Sequence, residues 1–202
     1  TMFKPSSQIE HDITQTANLS QTDLLLIGAG SSVFEGSLLG RILGLTTRII
    51  NPERLLDTIT GKERLFESTA FDETVKNIMR NATVPVGIYL DKGLQDLKRV
   101  HVYLSSEKDT FLVAHAKQLI YQQEVHIHII DQAGLQQEAG GRPMSSILKM
   151  LAPGPVTIEQ QLSVKNPSQE LMLISTDAWK YAVDNGAEWL TSAPSVLVMK
   201  NG

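Results

Sequence analysis

From residue 99 to the C-terminus, short apolar segments alternate with amphipathic ones, and this alternation constrains the fold more than any other feature of the sequence. The apolar or period-two segments predict strands at Arg99–Leu104, Val125–Ile130, Val156–Leu162, Leu171–Ile174 and Ser195–Met199. Stripes of apolar residues at helical spacing predict helices at Glu107–Gln122, Pro143–Leu151 and Asp177–Leu190. Such alternation is typical of a parallel sheet covered by helices on both faces. We therefore predict an α/β fold with a three-layer, doubly wound, Rossmann-like parallel sheet.

The N-terminal part repeats the end of this plan incompletely. After a short helix around Ile9–Ala17, it has a predicted strand at Asp23–Ile27, a helix at Asp72–Ala82 and a strand at Val84–Leu90. We interpret the chain as a partial unit over residues 1–93 and a complete unit over residues 94–202. The last strand of each unit is apolar on more than one face, so neither can be left as an open edge. These strands can pair with each other within the chain, or each with its symmetry mate in a homodimer. We favour pairing within the chain, because the covalent link gives a high effective concentration.

Composition excludes several classes of protein. The 202 residues include 18 Lys and Arg against 22 Asp and Glu, and the net charge of −4 argues against a nucleic-acid partner. There is no cysteine, so disulfides and thiolate chemistry are excluded. No apolar run approaches the ~20 residues that a membrane helix needs. We expect a domain that is soluble by itself.

The loop after the first strand is the best ligand candidate, and its candidate residues are Gly28, Gly30, Ser31 and Ser32. Glycines allow the backbone to turn sharply and a phosphate to approach the N–H groups. The dinucleotide pattern G-x-G-x-x-G is incomplete, because its third position has Val33. The alternative interpretation is a tight strand exit that binds nothing.

Histidines provide the other candidate chemistry. His126 and His128 share one face of a predicted strand, but a metal would need a third ligand, and His101 lies on another strand. We expect no metal and interpret the pair as polar residues on the open face of an edge strand. A pH-sensing role stays open, since histidine titrates near neutrality. Thr176 or Asp177 is expected to cap the last helix. The chain shows no catalytic constellation, so we expect it not to be an enzyme.

The segment Arg80–Gly93 (RNATVPVGIYLDKG) resembles the N-x-A-x-x-x-V-G-I-x-x-D-R-G segment in the cytoplasmic tails of the monovalent cation:proton antiporter-2 family. Leu24–Gly30 is similar to the D-L-L-V-I-G-x-G strand of that family, and Ala193–Met199 resembles the end of its tails. Those tails carry tandem universal-stress-protein-like halves. The resemblance implies a non-catalytic regulatory domain on the cytoplasmic side of the cell membrane. Its partners would be the transmembrane exchanger domain of the same polypeptide and a second copy, giving a homodimer.

No cofactor is implied, and nucleotide binding is expected to be absent or weak. ATP-binding stress proteins carry a glycine-rich phosphate loop, but this chain has Phe71-Asp72-Glu73 in one unit and Ser175-Thr176-Asp177 in the other. An Asp that meets adenine in that family is replaced here by Leu104-Ser105-Ser106. The alternative is a free-standing universal stress protein that binds a nucleotide. In that case we expect binding near the Gly28 loop, and Gly30→Val should abolish it.

Overall fold

A computed structural model describes residues 9–29, 73–122, 125–137 and 142–202. Within these ranges the strands are β1 Leu25–Ala29, β2 Val86–Leu90, β3 Arg99–Leu104, β4 His126–Asp131, β5 Val156–Glu159, β6 Glu170–Ser175 and β7 Ser195–Lys200. The α-helices are α1 Ile9–Ser20, α2 Glu73–Asn81, α3 Phe111–Gln122, α4 Arg142–Leu151 and α5 Thr176–Asp184. Shorter 3₁₀ turns cover Glu107–Thr110, Pro167–Gln169 and Glu188–Leu190. None of the helices in these ranges is long and apolar enough to cross a membrane.

The strands form one sheet in the order β1-β2-β7-β6-β3-β4-β5, and all neighbours are parallel except β2 and β7. The predicted α/β fold with a mostly parallel sheet is therefore confirmed. From β3 the chain moves outward through β4 to β5, and then returns to β6 on the other side of β3. The boundary between β3 and β6 is thus the topological switch point, where α/β proteins commonly place ligands at the carboxyl ends of the strands.

Helices pack on both faces of the sheet. On one face, Val100 and Val102 of β3 form a core cluster with residues of α3 and α4. On the other face, Met172 and Ile174 of β6 pack with α5, whose Trp179 is fully buried. Successive residues of a strand point to opposite faces, so each apolar strand supplies both cores. This arrangement explains why the strands are almost continuously apolar.

The connection from β5 to β6 contains no α-helix, unlike the connections from β3 to β4, from β4 to β5 and from β6 to β7. Residues 160–169, here called the connecting segment, form a loop that ends in the 3₁₀ turn Pro167–Gln169. The α5 side of β3, β4 and β5 carries polar side chains, with His101, His128 and Thr157 in neighbouring register positions. A loop rather than an apolar helix face therefore lies next to this polar part of the sheet.

Three local predictions were wrong. The cap of α5 is Ser175, whose Oγ accepts a hydrogen bond from the Ala178 N–H at 3.2 Å, rather than Thr176 or Asp177. Ser175 also ends β6, so the strand and the helix are continuous and the cap lies earlier than expected. β4 is an inner strand rather than an edge, since β5 pairs with its outer side. β5 itself ends at Glu159, three residues before the predicted end at Leu162.

The pairing predicted between the last strands of the two units is confirmed. β2 and β7 are antiparallel neighbours, with Ile88 opposite Val198 and Leu90 opposite Val196. All four side chains are fully buried. β1 then continues the sheet beyond β2 as a parallel edge strand.

Candidate functional site

Only one of the four predicted ligand residues lies in the described part of the chain. Gly28 is in β1 and faces open space, since no heavy atom lies within 4 Å of where a Cβ would stand. Gly30, Ser31 and Ser32 lie outside the described residues. The predicted phosphate loop therefore stays a prediction.

The structure instead brings three histidines together on the α5 side of the sheet. His101 of β3 and His128 of β4 are register partners, and their ring centroids lie 5.4 Å apart. His126 stands beside His128 on the same face, with 4.6 Å between the ring centroids. The predicted shared face of His126 and His128 is confirmed. His101 was separate in the sequence, and the parallel register brings it to the pair.

Glu170 is the centre of the interactions around His101. Its Oε1 accepts hydrogen bonds from Nη1 of Arg99 at 2.6 Å and from the backbone N–H groups of Lys165 at 2.9 Å and Asn166 at 2.8 Å. Its Oε2 lies 2.7 Å from Nε2 of His101. The side chains of Glu170 and His101 are 1% and 0% exposed. This one buried carboxylate therefore joins β3 to the connecting segment.

A second histidine–carboxylate pair lies further out. Nδ1 of His128 is 2.7 Å from Oε1 of Glu159, whose side chain is 28% exposed. Nε2 of His126 is 2.8 Å from the hydroxyl oxygen of Thr157. We call His101, His126, His128, Glu159 and Glu170 the histidine cluster. Neither glutamate belongs to a recognisable motif in the sequence, whose only signal is a charged residue on each side of the 160–169 loop.

Burial and hydrogen bonds set the protonation states of the inner pair, His101 and Glu170. Burial lowers the pKa of His101, and this outweighs the attraction of Glu170. Burial alone would raise the pKa of Glu170, but the N–H groups of Asn166, His101 and Lys165 together hold that pKa below its usual value. The inner pair is therefore a carboxylate and a neutral imidazole that donates its Nε2–H. Nδ1 of His101 is buried, and no described residue hydrogen-bonds to it.

The surroundings of the cluster oppose a proton on His101 and on His126. Among the described residues, no three His, Cys, Asp or Glu side chains converge so that they could hold a metal ion. A proton added to His101 would create an N–H donor at Nδ1, an atom that has no hydrogen-bond partner among the described residues, and such a buried donor is costly. Positive charge on Arg99 or His128 opposes that proton as well. The pKa of His126 is likewise lowered, by burial and by His128 and Arg99.

At the carboxyl ends of the strands, acidic side chains already occupy the backbone donors. Oδ2 of Asp109 accepts from the N–H groups of Ser105 at 2.8 Å and Ser106 at 2.9 Å, and from the Ser105 hydroxyl at 2.7 Å. After β4, Asp131 accepts from the N–H groups of Leu135 and Gln136. A phosphate at this edge would have to displace these carboxylates, and their negative charge would repel it.

A cavity of about 490 Å³ opens at the same edge, on the α5 side. Its described lining comes from the ends of β3 to β5 and from the 3₁₀ turn after α5, and includes Tyr103, Gln161, Leu162, Glu188, Trp189 and Ser192. The rings of Tyr103 and Trp189 lie 5.4 Å apart at an angle of 42°. Trp189 packs against the core and also lines this cavity.

The segment Arg80–Gly93, which resembles the antiporter tails, forms hydrogen bonds that connect the end of β2 to the beginning of β7. Oδ1 of Asp91 accepts hydrogen bonds from the N–H of Gly93 at 2.9 Å and from the hydroxyl of Ser195 at 3.3 Å. Nζ of Lys92 donates to the carbonyl oxygen of Ala193 at 2.7 Å. Gly93 has a φ of 88°, a conformation that L residues with a side chain rarely adopt. These motif residues thus have structural roles in this chain.

A solved structure of a universal stress protein from Archaeoglobus fulgidus DSM 4304 is similar to this chain. The sequences are 15% identical, the TM-score is 0.49, and the similarity covers 96% of this chain and 65% of that one. This chain therefore spans 65% of the length of that protein. No protein-family model matches the sequence, and no curated protein matches it.

Proposed function

We propose that this chain is a non-catalytic regulatory domain on the cytoplasmic side of a monovalent cation:proton antiporter, and that the signal it senses is the proton. The histidine cluster is the observation that carries the proposal. It places three imidazoles and two carboxylates in contact on one sheet face, with the inner pair fully buried. Histidine is the side chain whose ordinary pKa lies nearest neutrality, and because burial lowers the pKa of His101 and His126, these two would take up protons only as the cytoplasm becomes more acidic.

The buried glutamate provides a route from proton binding to a change at the surface. Glu170 holds the connecting segment through the N–H groups of Lys165 and Asn166. When His101 takes a proton, the new donor at Nδ1 lacks an acceptor, and charge builds up beside Arg99 and His128. The strand-bound groups cannot move far in a packed sheet. Any rearrangement that relieves the unpaired donor and the added charge must therefore occur in the connecting segment. This segment is exposed over Lys165-Asn166-Pro167.

The resemblance of Arg80–Gly93 to the antiporter tails supports the identity of the regulated partner. Several residues of that segment hold β2 against β7, as expected of a motif that preserves a tandem arrangement of units. The partner would be the exchanger domain of the same polypeptide, and the domain would act as a homodimer. A regulatory rather than catalytic role is supported by the burial of His101 and Glu170, because groups at 0% and 1% exposure cannot reach a substrate.

The proposal is tested in everted membrane vesicles that contain the native full-length gene product. Cation-dependent collapse of a proton gradient is measured from about pH 5.5 to 8.5, which brackets the histidine range. His101→Gln keeps an N–H donor for Glu170 but cannot take a proton, so we expect the pH profile to flatten while maximal exchange is retained. His11→Gln in α1 is the control, because His11 is exposed and far from the cluster in the sheet.

Two outcomes contradict the proposal. A native reading frame without apolar membrane segments would show that the chain is not part of an antiporter. An unchanged pH profile in His101→Gln, with normal exchange in both variants, would show that the histidine cluster is not the pH sensor.

A further inference from the structure

The cavity beside Trp189 has no part in the histidine cluster, and it lies where α/β proteins place ligands. Its walls come from the carboxyl ends of β3, β4 and β5, next to the switch point between β3 and β6. Its volume of about 490 Å³ is in the range of pockets that bind metabolites. The inner part of the histidine cluster, in contrast, lies nearer the amino ends of β3, β4 and β6, at His101, His126 and Glu170.

The lining selects the charge of a ligand. Two aromatic rings, from Tyr103 and Trp189, meet at 42°, and the exposed carboxylate of Glu188 stands next to Trp189 in the chain. None of the described lining residues is Lys or Arg. The nearby backbone donors that could bind an anion are already used by Asp109 and Asp131. Aromatic faces and a carboxylate attract cations and repel phosphates.

We propose that this cavity binds a small organic cation with an ammonium group. Trp189 and Tyr103 would contact the ammonium group, Glu188 would neutralise its charge, and Gln161 and Ser192 offer polar groups for the remainder of the molecule. Trp189 is held in place before binding, because it packs against Trp179, with 6.3 Å between the rings, and against the core around α5. Preorganised aromatic rings lose little entropy when a ligand binds.

Choline and its uncharged isostere 3,3-dimethylbutan-1-ol test the charge directly, since they have nearly the same shape. Binding is measured by calorimetry and by the fluorescence of Trp189, with putrescine and tetramethylammonium as further cations. We expect saturable binding of at least one cation below about 10 mM, and at least about tenfold weaker binding of the isostere than of choline where choline binds. No saturation by any of the three cations, or equal affinity for choline and the isostere, overturns the proposal.

A pair of exposed glutamates in 3₁₀ turns provides matched variants. Glu188→Gln removes the carboxylate at the cavity, and Glu107→Gln makes the same change at the start of the turn before α3. We expect about fivefold to tenfold weaker cation binding in Glu188→Gln and wild-type binding in Glu107→Gln, with unchanged melting temperatures in both. Equal binding in the two variants would contradict the assigned site. This experiment needs only the 202-residue chain, so it is independent of whether the antiporter proposal holds.

Discussion

Ile88 and Val198 lie directly opposite each other in the antiparallel pair of β2 and β7, and both side chains are fully buried. They belong to parts of the sequence that are more than a hundred residues apart. Nζ of Lys200 adds to this junction by donating to the carbonyl oxygen of Met79 at 2.6 Å, at the end of α2. The junction therefore makes β1 and β2 part of the same sheet as β3 to β7.

A charge at this junction should be severely destabilising. Ile88→Asp and Val198→Asp each bury a carboxylate without a partner, and we expect a loss of roughly 3–5 kcal/mol or insoluble protein. Leu19→Asp is the control, because Leu19 in α1 is 77% exposed and should cost less than about 1 kcal/mol. Thermal melts of the three variants check this. Wild-type melting temperatures in both junction variants would show that the strands do not pair in solution.

Two glycines on neighbouring strands should respond differently to the same substitution. A Cβ on Gly87 of β2 would lie 3.0 Å from Cδ1 of Leu197, whereas a Cβ on Gly28 of β1 would meet nothing within 4 Å. Gly87→Ala should therefore cost about 1 kcal/mol through overpacking. Gly28→Ala should be neutral or stabilising by up to about 1 kcal/mol, since alanine reduces the freedom of the unfolded chain. Urea unfolding measures the free energy of unfolding of both variants. Equal stability of Gly87→Ala and Gly28→Ala would mean that the Leu197 side chain moves aside at no cost.

Glu170→Gln should weaken the connecting segment more than the whole fold. The amide has one acceptor oxygen in place of two, so it cannot satisfy Arg99, His101 and the two backbone N–H groups together. We expect a loss of roughly 3 kcal/mol, as for a buried ion pair that loses one partner. Glu159→Gln, at a more exposed site, should cost less than about 1 kcal/mol. Hydrogen exchange should show faster exchange at the Lys165 and Asn166 amides in the first variant only; equal protection in both variants contradicts the role of Glu170.

Stability should rise with pH through the histidine range. Folding lowers the pKa of His101, His115 and His126 from 6.5, so the unfolded chain takes up protons first as the pH falls. The unfolding free energy should therefore decrease as the pH falls from about 7 to 5, by about 1.4 kcal/mol for each unit of pKa difference. Below that range the lowered pKa of Glu170 adds a further loss. His101→Gln should reduce the dependence of the unfolding free energy on pH. If urea unfolding of the wild type gives the same free energy throughout this pH range, the histidine pKa values are not lowered by folding.

Nucleotide binding should be absent or weak. Asp109 occupies the donors of Ser105 and Ser106 at the end of β3, where phosphate would otherwise find N–H groups. Calorimetric titration with ATP and AMP should show no affinity in the micromolar range. Micromolar binding of either nucleotide would favour the alternative of a free-standing universal stress protein. Gly30→Val would then show whether the predicted loop is responsible.

The alternation of apolar and amphipathic segments was sufficient to predict the α/β class and most elements. It works because a strand buried on both faces must be apolar throughout, and a helix on such a sheet needs one apolar stripe. The apolar β2 and β7 also indicated their own pairing, since open apolar edges are unstable. The boundary errors at β5 and α5 have a local cause: alternation in 156–162 continues past the last ladder bond, and Ser175 serves as both strand end and helix cap.

The sites were decided by tertiary structure. His101 and His128 meet because of the parallel register of β3 and β4, and Glu170 reaches His101 because β6 lies on the other side of β3. The sequence determines which strands can be buried, but apart from the pairing of β2 with β7 it carries no signal for strand order. The same holds for the cavity, which brings the ends of three strands to Trp189. Local periodicity therefore determines the elements, whereas the order and register of the sheet determine which polar groups share one buried environment.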